Sequence, residues 1–470
     1  MRRTKIVATV GPATSLPESM RAILAAGANV VRLNAAHGTG DVHAERATLA
    51  RATASALGRA VGVLVDLPGP KMRTGPVVDD EIQLEIGHPI TLTSSPVVGD
   101  TTRVSTTLPE LGRWVGPGDD IFLADGAIVL RVEQVVDGDV VCEVVRGGVL
   151  RSRKGMHVPR AEAHVEPFTD SDAVALRMAI AIKADFIGLS FVRRPEDIDA
   201  VRARLPKRGH RPQLVAKIET AVALDHLPGI VGAADVVMVA RGDLGIQVPA
   251  RRVPLIQKEI IRFCNMAGTP VITATQMLES MTRSPLPTRA EVNDVANAVL
   301  DGTDALMLSE ETAVGEYPAD TVRTMSDVAE AAEAWPHTRT APQGAAAALD
   351  DDRVAWAVAH ASVQAAEDLG VAAIVCPTQS GTTARRVAAF RPTVPIVGIS
   401  EQADVLGRLC MVWGVEPLMA PATKDDEGSR RAVKAARESG VARKGDLIAV
   451  VSASPGKRAG ATDTVRIVRI

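Results

Sequence analysis

Charged and hydroxyl-bearing side chains stand at the predicted carboxyl ends of six short apolar strands. They are Arg32 and Asn34, with His37 just beyond, Asp66, Lys217 and Glu219, Arg241, Gly242 and Asp243, Thr275 and Gln276, and Ser309 and Glu311. A single acidic residue at a strand end is usually a helix cap, but capping does not explain the same class of residue at the same end of six strands. We therefore predict that these side chains form one site.

The carboxylates and cations of this set suit chemistry on a phosphorylated anion. Glu219 and Asp243 are oxygen ligands on neighbouring strands, the ligand type that Mg²⁺ or Mn²⁺ takes beside a phosphate. Lys217 is two residues from Glu219 in one strand, so both side chains point to the same side; a plain ion pair between them is the alternative. Positive charge for a multiply charged anion comes from Arg32, Arg73, Lys217 and Arg241.

Two hydroxyl groups of the set, on Thr275 and Ser309, suit either a proton relay through water or structural hydrogen bonding. The chain has no Walker-type glycine-rich loop and no dinucleotide fingerprint. Phosphoryl transfer fits these residues best, because it depends on positioning and charge neutralisation more than on covalent catalysis. The sequence thus predicts metal-assisted chemistry on a small phosphorylated anion.

Short apolar strands alternate with helical segments along the part of the chain that carries these residues. The predicted strands are Lys5–Val10, Val30–Leu33, Val61–Val65, Phe186–Leu189, Leu214–Ile218, Val236–Val239, Val271–Thr273 and Ala305–Leu308. About eight βα units imply a parallel sheet, and at this length they predict a closed (β/α)8 TIM barrel over residues 1–69 and 167–337. A doubly wound open sheet is the alternative.

Residues 70–166 interrupt this alternation with short strand-like segments. The Asp137-Gly138 pair between two apolar runs is a strong hairpin signal. We predict a small all-β domain, a β-barrel, inserted into one βα loop of the TIM barrel as a lid over the site. Beyond a linker, residues 345–470 again alternate strands and helices, which predicts a C-terminal α/β domain.

The composition excludes several classes of partner. The 470 residues include 53 basic and 56 acidic side chains, and only 2% are aromatic, which argues against nucleic acid or an anionic membrane as a partner. Four scattered cysteines predict neither a zinc site nor a disulfide framework, and favour the reduced cytoplasm. No uncharged run approaches the roughly 20 residues of a membrane span. The basic start of the chain is read as leading into a first strand rather than as a leader peptide.

Several runs of the sequence resemble the pyruvate kinase family along nearly the whole chain. The most specific are Ala240-Arg241-Gly242-Asp243-Leu244-Gly245 and Thr275-Gln276-Met277-Leu278-Glu279-Ser280-Met281, together with Lys217-Ile218-Glu219 and Leu308-Ser309-Glu310-Glu311-Thr312. The resemblance implies the transfer of a phosphoryl group from phosphoenolpyruvate to ADP, giving pyruvate and ATP in the last step of glycolysis. It also implies a soluble homotetramer.

The resemblance implies a role for each matching residue. Glu219 and Asp243 resemble the Mg²⁺ ligands, while Lys217, assisted by Arg32, resembles the group that stabilises the transferring phosphoryl. The Gly242 region and Thr275 resemble the substrate-holding part, and Thr275 and Ser309 the route that protonates the enolate. The residues that resemble the nucleotide side are Pro12, Asn34, His37, Arg73 and Lys154.

The sequence departs from the family pattern around its monovalent-cation site. The usual Asn-Phe-Ser-His-Gly is Asn34-Ala35-Ala36-His37-Gly38 here, and the usual Asp-Thr-Lys-Gly-Pro-Glu is Asp66-Leu67-Pro68-Gly69-Pro70-Lys71. Members that need no K⁺ are similar to this chain in carrying Lys at position 71. An ammonium on Lys71 that pairs with Asp66 would replace K⁺ in a vestigial site with Asn34, so we predict activity without K⁺.

A hydroxyl-rich turn in the C-terminal domain opens a predicted helix. It contains Thr378, Ser380, Gly381, Thr382 and Thr383, and resembles the family's phosphometabolite effector site; a simple capping turn is the alternative. Two other functions stay open from the residues alone. One is a metal-dependent aldolase or lyase acting on a similar enolate, and the other is a non-catalytic paralogue that binds phosphometabolites.

Overall fold

The first part of the chain builds three strands of a parallel sheet, of which the first and third are buried along their length. The computed structural model describes residues 2–70, 72–124, 126–162, 165–335, 350–420, 428–454 and 460–470. The first elements are β1 Lys5–Thr9, α1 Pro17–Ala26, β2 Val30–Asn34, α2 Gly40–Ala56 and β3 Gly62–Asp66. Helix α1 has Pro17 at its first position and stops at Gly27, whose φ of +123° suits glycine alone.

The insert that follows is β-rich. Its elements are β4 Glu81–Leu84, β5 Pro89–Thr93, β6 Arg103–Ser105, α3 Leu111–Trp114, β7 Asp120–Leu123, β8 Ile128–Val136, β9 Asp139–Arg146, β10 Gly148–Arg151, β11 Met156–His157 and α4 Pro159–Glu162. In its described residues, β10 pairs with β4, and the other strands form one sheet in the order β11-β7-β8-β9-β5-β6. Asp137 and Gly138 both have positive φ between β8 and β9, which confirms the predicted hairpin.

The chain then returns to alternating helices and strands. The elements are α5 Asp170–Ala181, β12 Phe186–Leu189, α6 Pro195–Arg202, β13 Gln213–Ile218, α7 Ala221–Asp225, α8 Leu227–Ala233, β14 Val236–Ala240, α9 Arg241–Gln247, α10 Val253–Ala267, β15 Val271–Ala274, α11 Arg289–Asp301, β16 Ala305–Leu308, α12 Glu310–Ala313 and α13 Pro318–Ala334. Asp172 accepts hydrogen bonds from the backbone N–H and hydroxyl of Thr169, which begins α5 as a capping box. The other oxygen of Asp172 accepts the N–H of Gly69 at 2.8 Å. Because the chain leaves the barrel for the insert at Gly69 and returns to it near Thr169, one carboxylate bonds to both connecting segments.

Strands from the two halves close into one barrel. Among the described residues, eight parallel strands pair in the order β1-β16-β15-β14-β13-β12-β3-β2 and back to β1. The prediction of a closed (β/α)8 barrel is confirmed, and the doubly wound open sheet is wrong because β1 pairs with both β2 and β16. All eight strands end at the same rim, where the polar set lies. The exact domain bounds, and a barrel form for the insert, stay predictions.

The C-terminal part forms a second α/β unit. Its elements are α14 Asp350–Asp368, β17 Ala373–Pro377, α15 Thr382–Ala389, β18 Ile396–Ser400, α16 Ala403–Leu409, β19 Val415–Met419, α17 Gly428–Glu438, β20 Leu447–Ser452 and β21 Thr464–Arg469. The sheet order is β19-β18-β17-β20-β21, and β21 runs antiparallel to β20. Much of the predicted linker before this unit, residues 336–349, lies outside the described residues.

This unit packs against the end of the barrel opposite the polar rim. Cys410 and Met411 are buried in the same apolar cluster as Val7 and Phe186 of the barrel strands. The ammonium of Lys5 donates to the carbonyl of Val415 at 2.6 Å, and burial lowers the pKa of Lys5 to about 8. The C-terminal domain thus covers the barrel floor and leaves the opposite rim to carry the site.

The four cysteines are core residues. All four cysteines lie in described segments, and each is buried with a free thiol. Burial raises the pKa of Cys142 and of Cys410 to about 12, as expected of small core residues. In the part of the chain that the structure describes, we find no helix that is both long and apolar enough to span a membrane.

Candidate active site

A buried carboxylate at the end of β3 is the centre of the polar set. One oxygen of Asp66 accepts hydrogen bonds from Nε and Nη2 of Arg32 at 2.9 and 2.5 Å. The other lies 3.3 Å from Nζ of Lys217, an ion-pair contact without hydrogen-bond geometry. Burial alone would raise the pKa of Asp66, but Lys217 and Arg32 outweigh it and lower the pKa to about 2. Asp66 therefore stays ionised and fixes both cations.

Lys217 and Glu219 form the ion pair that the sequence left as an alternative. Nζ of Lys217 lies 2.8 Å from Oε1 of Glu219, and Oε2 of Glu219 accepts the N–H of Phe191 at 2.6 Å. Burial lowers the pKa of Lys217, but Asp66, Glu219 and Asp243 together raise it above its ordinary value. The ammonium is thus permanently charged. The pair is part of a larger charged network and does not exclude a substrate.

Glu219 and Asp243 fit the divalent cation that the sequence predicts. They stand at the ends of the adjacent strands β13 and β14, and burial together with the charge of Asp243 raises the pKa of Glu219 against the opposing effect of Lys217. A cation bound by both carboxylates would relieve this repulsion. Among the described residues no group of three or more His, Cys, Asp or Glu is placed to hold a metal ion. The remaining ligands would come from substrate and water, as is usual for Mg²⁺.

Thr275 lies beside Gly242 in a strained loop after β15. Its hydroxyl accepts the N–H of Gly242 at 2.8 Å and donates to the carbonyl of Ala274 at 2.6 Å. The φ of Thr275 is +69°, which is rare for a β-branched residue and is seen mainly where the surroundings enforce it. This strain puts the hydroxyl at the start of α9, next to Asp243.

The structure corrects the role expected of Arg241. Its guanidinium donates to the carbonyls of Ala274 and Thr275 at 3.2 and 2.6 Å and pairs with Asp294 at 2.7 Å. These bonds commit the guanidinium to the backbone of the strained loop and to Asp294. The prediction that Arg241 supplies charge to the anion is therefore wrong. A backbone-holding role was not visible in the sequence, because it depends on where α11 brings Asp294.

Ser309 and Glu311 follow β16 and differ in their surroundings. Oε2 of Glu311 accepts the N–H of Ser309 at 2.6 Å, and Oε1 accepts the N–H of Leu278 at 3.3 Å. Glu311 is buried and serves the backbone. Ser309 is half-buried at the rim with φ −107° and ψ −100°, and its side chain stays a candidate for the proton relay.

The residues predicted for the nucleotide side are spread over the mouth of the barrel. Asn34 is half-buried and Pro12 and His37 are exposed at the rim, while Arg73 and the exposed Lys154 belong to the insert. The guanidinium of Arg73 donates to the carbonyl of Arg153 at 2.9 Å, and Arg73 lines a cavity of about 340 Å³ with Ala36. The structure therefore brings insert and barrel together at one cleft.

Two further predicted sites are placed only in part. Lys71 lies outside the described residues; Asn34 accepts the N–H of Ala36 at 3.2 Å, and Asp66 is engaged with Arg32 and Lys217. In the C-terminal domain, Ser380, Gly381 and Thr382 line a cavity of about 800 Å³ against the barrel. Five arginines line the same cavity, namely Arg202, Arg211, Arg385, Arg386 and Arg408.

Part of the hydroxyl-rich turn forms hydrogen bonds within the C-terminal domain itself. Thr378 Oγ1 accepts the N–H of Gly381 at 2.9 Å, and Thr383 is buried with its hydroxyl bonded to that of Thr462 at 2.7 Å. Thr378 and Thr383 thus bond within the domain. Gly381, the N-cap residue of α15, provides no side-chain cap, and Ser380 and Thr382 line the cavity. Most of the facing loop, residues 455–459, lies outside the described residues.

Sequence reasoning missed two hydroxyl groups of the network. Ser190 follows β12 and its Oγ accepts from Nζ of Lys217 at 2.8 Å, and Thr9 of β1 accepts from Nη1 of Arg32 at 3.1 Å. Ser190 stands at a strand end like the residues of the predicted set, so the same rule applied to the fourth strand would have found it. Thr9 is the last residue of β1, but the predicted strand extends to Val10, so the rule does not select it.

A closed (β/α)8 barrel with a lysine that contacts two buried carboxylates, and an arginine beside it, suits phosphoryl transfer, which depends on fixed charge more than on covalent catalysis. Two family models match the chain: "Pyruvate kinase, barrel domain" over residues 1–322 and "Pyruvate kinase, alpha/beta domain" over residues 356–468. The chain belongs to the pyruvate kinase family.

Relatives with this name match along almost the whole chain. "Pyruvate kinase 2" of Synechocystis sp. is 41% identical over 99% of this chain and 79% of its own length. "Pyruvate kinase" of Geobacillus stearothermophilus is 41% identical over 99% of this chain and 80% of its own length. "Pyruvate kinase" of Thermotoga maritima is 39% identical over 100% of both chains. The similarity thus covers barrel, insert and C-terminal domain.

Proposed function

We propose that this chain transfers the phosphoryl group of phosphoenolpyruvate to ADP, giving pyruvate and ATP, in the cytoplasm. The observation that carries the proposal is the ammonium of Lys217, held between Asp66 and Glu219 next to Arg32 and Asp243 at the barrel rim. Fixed cations at this place would bind a transferring phosphoryl group and stabilise the charge it gains, which is the main demand of this reaction.

The chain's own residues would divide the work as follows. Lys217 and Arg32 hold the phosphoryl group, and the Gly242 region together with Thr275 holds the rest of the substrate. Thr275 and Ser309 are the hydroxyls that relay a proton to the enolate. Glu219 and Asp243 would hold Mg²⁺ or Mn²⁺, which when bound neutralises phosphate charge. The residues proposed to line the nucleotide are Pro12, Asn34, His37, Arg73 and Lys154.

The experiment that tests the function is pyruvate formation from phosphoenolpyruvate and Mg²⁺, with and without ADP. We expect turnover only with ADP. Turnover without ADP would favour the metal-dependent lyase or aldolase instead. Binding of both substrates with no turnover would favour the non-catalytic paralogue.

We predict that the enzyme needs no K⁺. Ala36 and Leu67 lack the hydroxyls that the family usually places at its cation site, and the sequence carries the ammonium of Lys71 in the same stretch of chain. The rate in KCl is therefore expected to lie within about twofold of the rate in an equal concentration of a large organic cation salt. The two salts have the same ionic strength, so a larger difference would come from K⁺ itself. A large stimulation specific to KCl would contradict this, and Lys71→Glu is expected to create such a stimulation.

We propose further that the cavity lined by Ser380, Gly381 and Thr382 takes a phosphometabolite effector in a homotetrameric enzyme. Of the arginines that line this cavity, Arg202, Arg386 and Arg408 pair with aspartates, so Arg211 and Arg385 would supply most of the charge for a phosphate, next to the start of α15. Isothermal titration with several sugar phosphates and AMP is expected to show binding by one of them, and Arg385→Gln is expected to weaken it about tenfold or more. If none of these ligands binds, the proposal of an effector site is rejected and the turn keeps only a structural role.

A further inference from the structure

The hydroxyl of Ser190 joins two chains at the centre of the candidate site. Its O–H donates to the carbonyl of Leu67 at 2.8 Å, and its oxygen accepts from Nζ of Lys217 at 2.8 Å. Because the only proton of the hydroxyl is used by the carbonyl, a lone pair is left facing the ammonium. Ser190 is only 5% exposed. In the part of the chain that the structure describes, it is a neutral contact of Lys217, which also contacts the carboxylates of Asp66 and Glu219.

Two glycines leave the room that this contact needs. A Cβ atom at Gly188 of β12 would lie 2.7 Å from Oδ1 of Asp66. A Cβ at Gly69 would lie 2.6 Å from Cβ of Ser190, and Gly69 also has a φ of +67°. In the barrel register Leu189 pairs with Ala216, so the next residues on each strand are Ser190 and Lys217. The close approach of β3, β12 and β13 therefore brings Asp66, Ser190 and Lys217 into one layer.

We propose that Ser190 is a positioning residue, which sets the direction of the Lys217 ammonium toward the transferring phosphoryl group. This inference rests on the proposed phosphoryl transfer. The two carboxylates balance the charge of the lysine, but ionic attraction alone tolerates many orientations. A hydroxyl fixed by its own bond to Leu67 accepts along one direction and so removes this freedom. Without the Ser190 hydroxyl the ammonium keeps its charge and its attraction for an anion, but its direction toward the phosphoryl group is no longer fixed.

The loss of Ser190 should therefore appear in the rate more than in substrate affinity. Ser190→Ala is expected to lower kcat about 10- to 100-fold, while KM for phosphoenolpyruvate changes less than about threefold. Ser105→Ala is the matched control: Ser105 is also 5% exposed, and its hydroxyl donates to the carbonyl of Val97 at 2.9 Å in the insert. Its kcat is expected to stay within about twofold of wild type. An unchanged kcat in Ser190→Ala, or an equal loss in Ser105→Ala, would overturn the proposal.

A double-mutant cycle separates a role through Lys217 from a general structural role. In the Lys217→Met background, single-turnover rates should change less than about twofold on adding Ser190→Ala, because the group being positioned is gone. If Ser190→Ala lowers the rate by the same factor in the Lys217→Met background as in the wild type, the proposal is overturned. Ser190→Thr keeps the hydroxyl and should exceed Ser190→Ala in kcat; a rate no higher than that of Ser190→Ala would also overturn it.

Different results would reject the proposed function and the positioning role of Ser190. No pyruvate from wild-type enzyme with phosphoenolpyruvate and ADP would reject the proposed function itself. Wild-type activity with an unaffected Ser190→Ala would reject the positioning role alone.

Discussion

Replacing Lys217 by Met is expected to lower kcat about 10³-fold or more while the protein keeps its fold. Among the described residues the Lys217 ammonium contacts both Asp66 and Glu219, and these neighbours keep it charged. Its removal takes away charge stabilisation that is needed most when the phosphoryl group is between donor and acceptor. Steady-state and single-turnover rates of pyruvate formation measure the effect.

The matched control for this variant is Lys258→Met. Lys258 lies on α10 in a half-exposed ion pair with Asp301, away from the barrel rim. We expect wild-type kcat from it. A Lys217→Met enzyme that stays folded and retains more than about a tenth of the wild-type rate would contradict the role assigned to this lysine.

Replacing Asp243 by Asn is expected to raise the Mg²⁺ concentration for half-maximal activity about 100-fold, because a neutral amide is a poor substitute for a carboxylate with a hard cation. Asp243 is preferred to Glu219 for this test, since removing Glu219 would also leave Lys217 without one of its two carboxylates. Direct Mn²⁺ binding, followed by the paramagnetic signal of the free ion, measures affinity without relying on turnover.

Glu310→Gln serves as the control for the metal experiment. Glu310 is exposed at the start of α12, just beyond β16, so its loss changes the charge near the rim without removing a proposed ligand. Its Mn²⁺ affinity is expected to stay within about threefold of wild type. Equal weakening by both substitutions would show a general charge effect and would speak against a site at Asp243.

The barrel was predictable because its strands are short, apolar and regularly spaced between helices. β1, β2 and β12 to β16 lie within one or two residues of the predicted bounds, and the Asp137-Gly138 hairpin follows from turn chemistry alone. Two strands of the C-terminal sheet carry no signal of a buried parallel strand. β19 contains Pro417, and β21, at the sheet edge, is exposed at five of its six positions.

The site was predictable as a set of residue types, but not as a set of contacts. Strand-end position sufficed for Asp66, Lys217 and Glu219, because parallel strands must end at one rim. It failed for Arg241, since the choice between facing the substrate and holding a strained loop depends on where Asp294 of α11 lies. Side-chain direction at loop residues is decided by tertiary contacts that no local pattern encodes.

The central claim is that the cluster around Lys217 moves a phosphoryl group from phosphoenolpyruvate to ADP. Phosphorus NMR of the purified enzyme with both substrates and Mg²⁺ tests it most directly, because it follows the transferred phosphorus itself. The account predicts that the phosphoenolpyruvate signal is replaced, mole for mole, by the γ-phosphate of ATP, and that Lys217→Met abolishes this exchange on the same time scale. Release of inorganic phosphate without ATP, or an undiminished conversion by Lys217→Met, would contradict it.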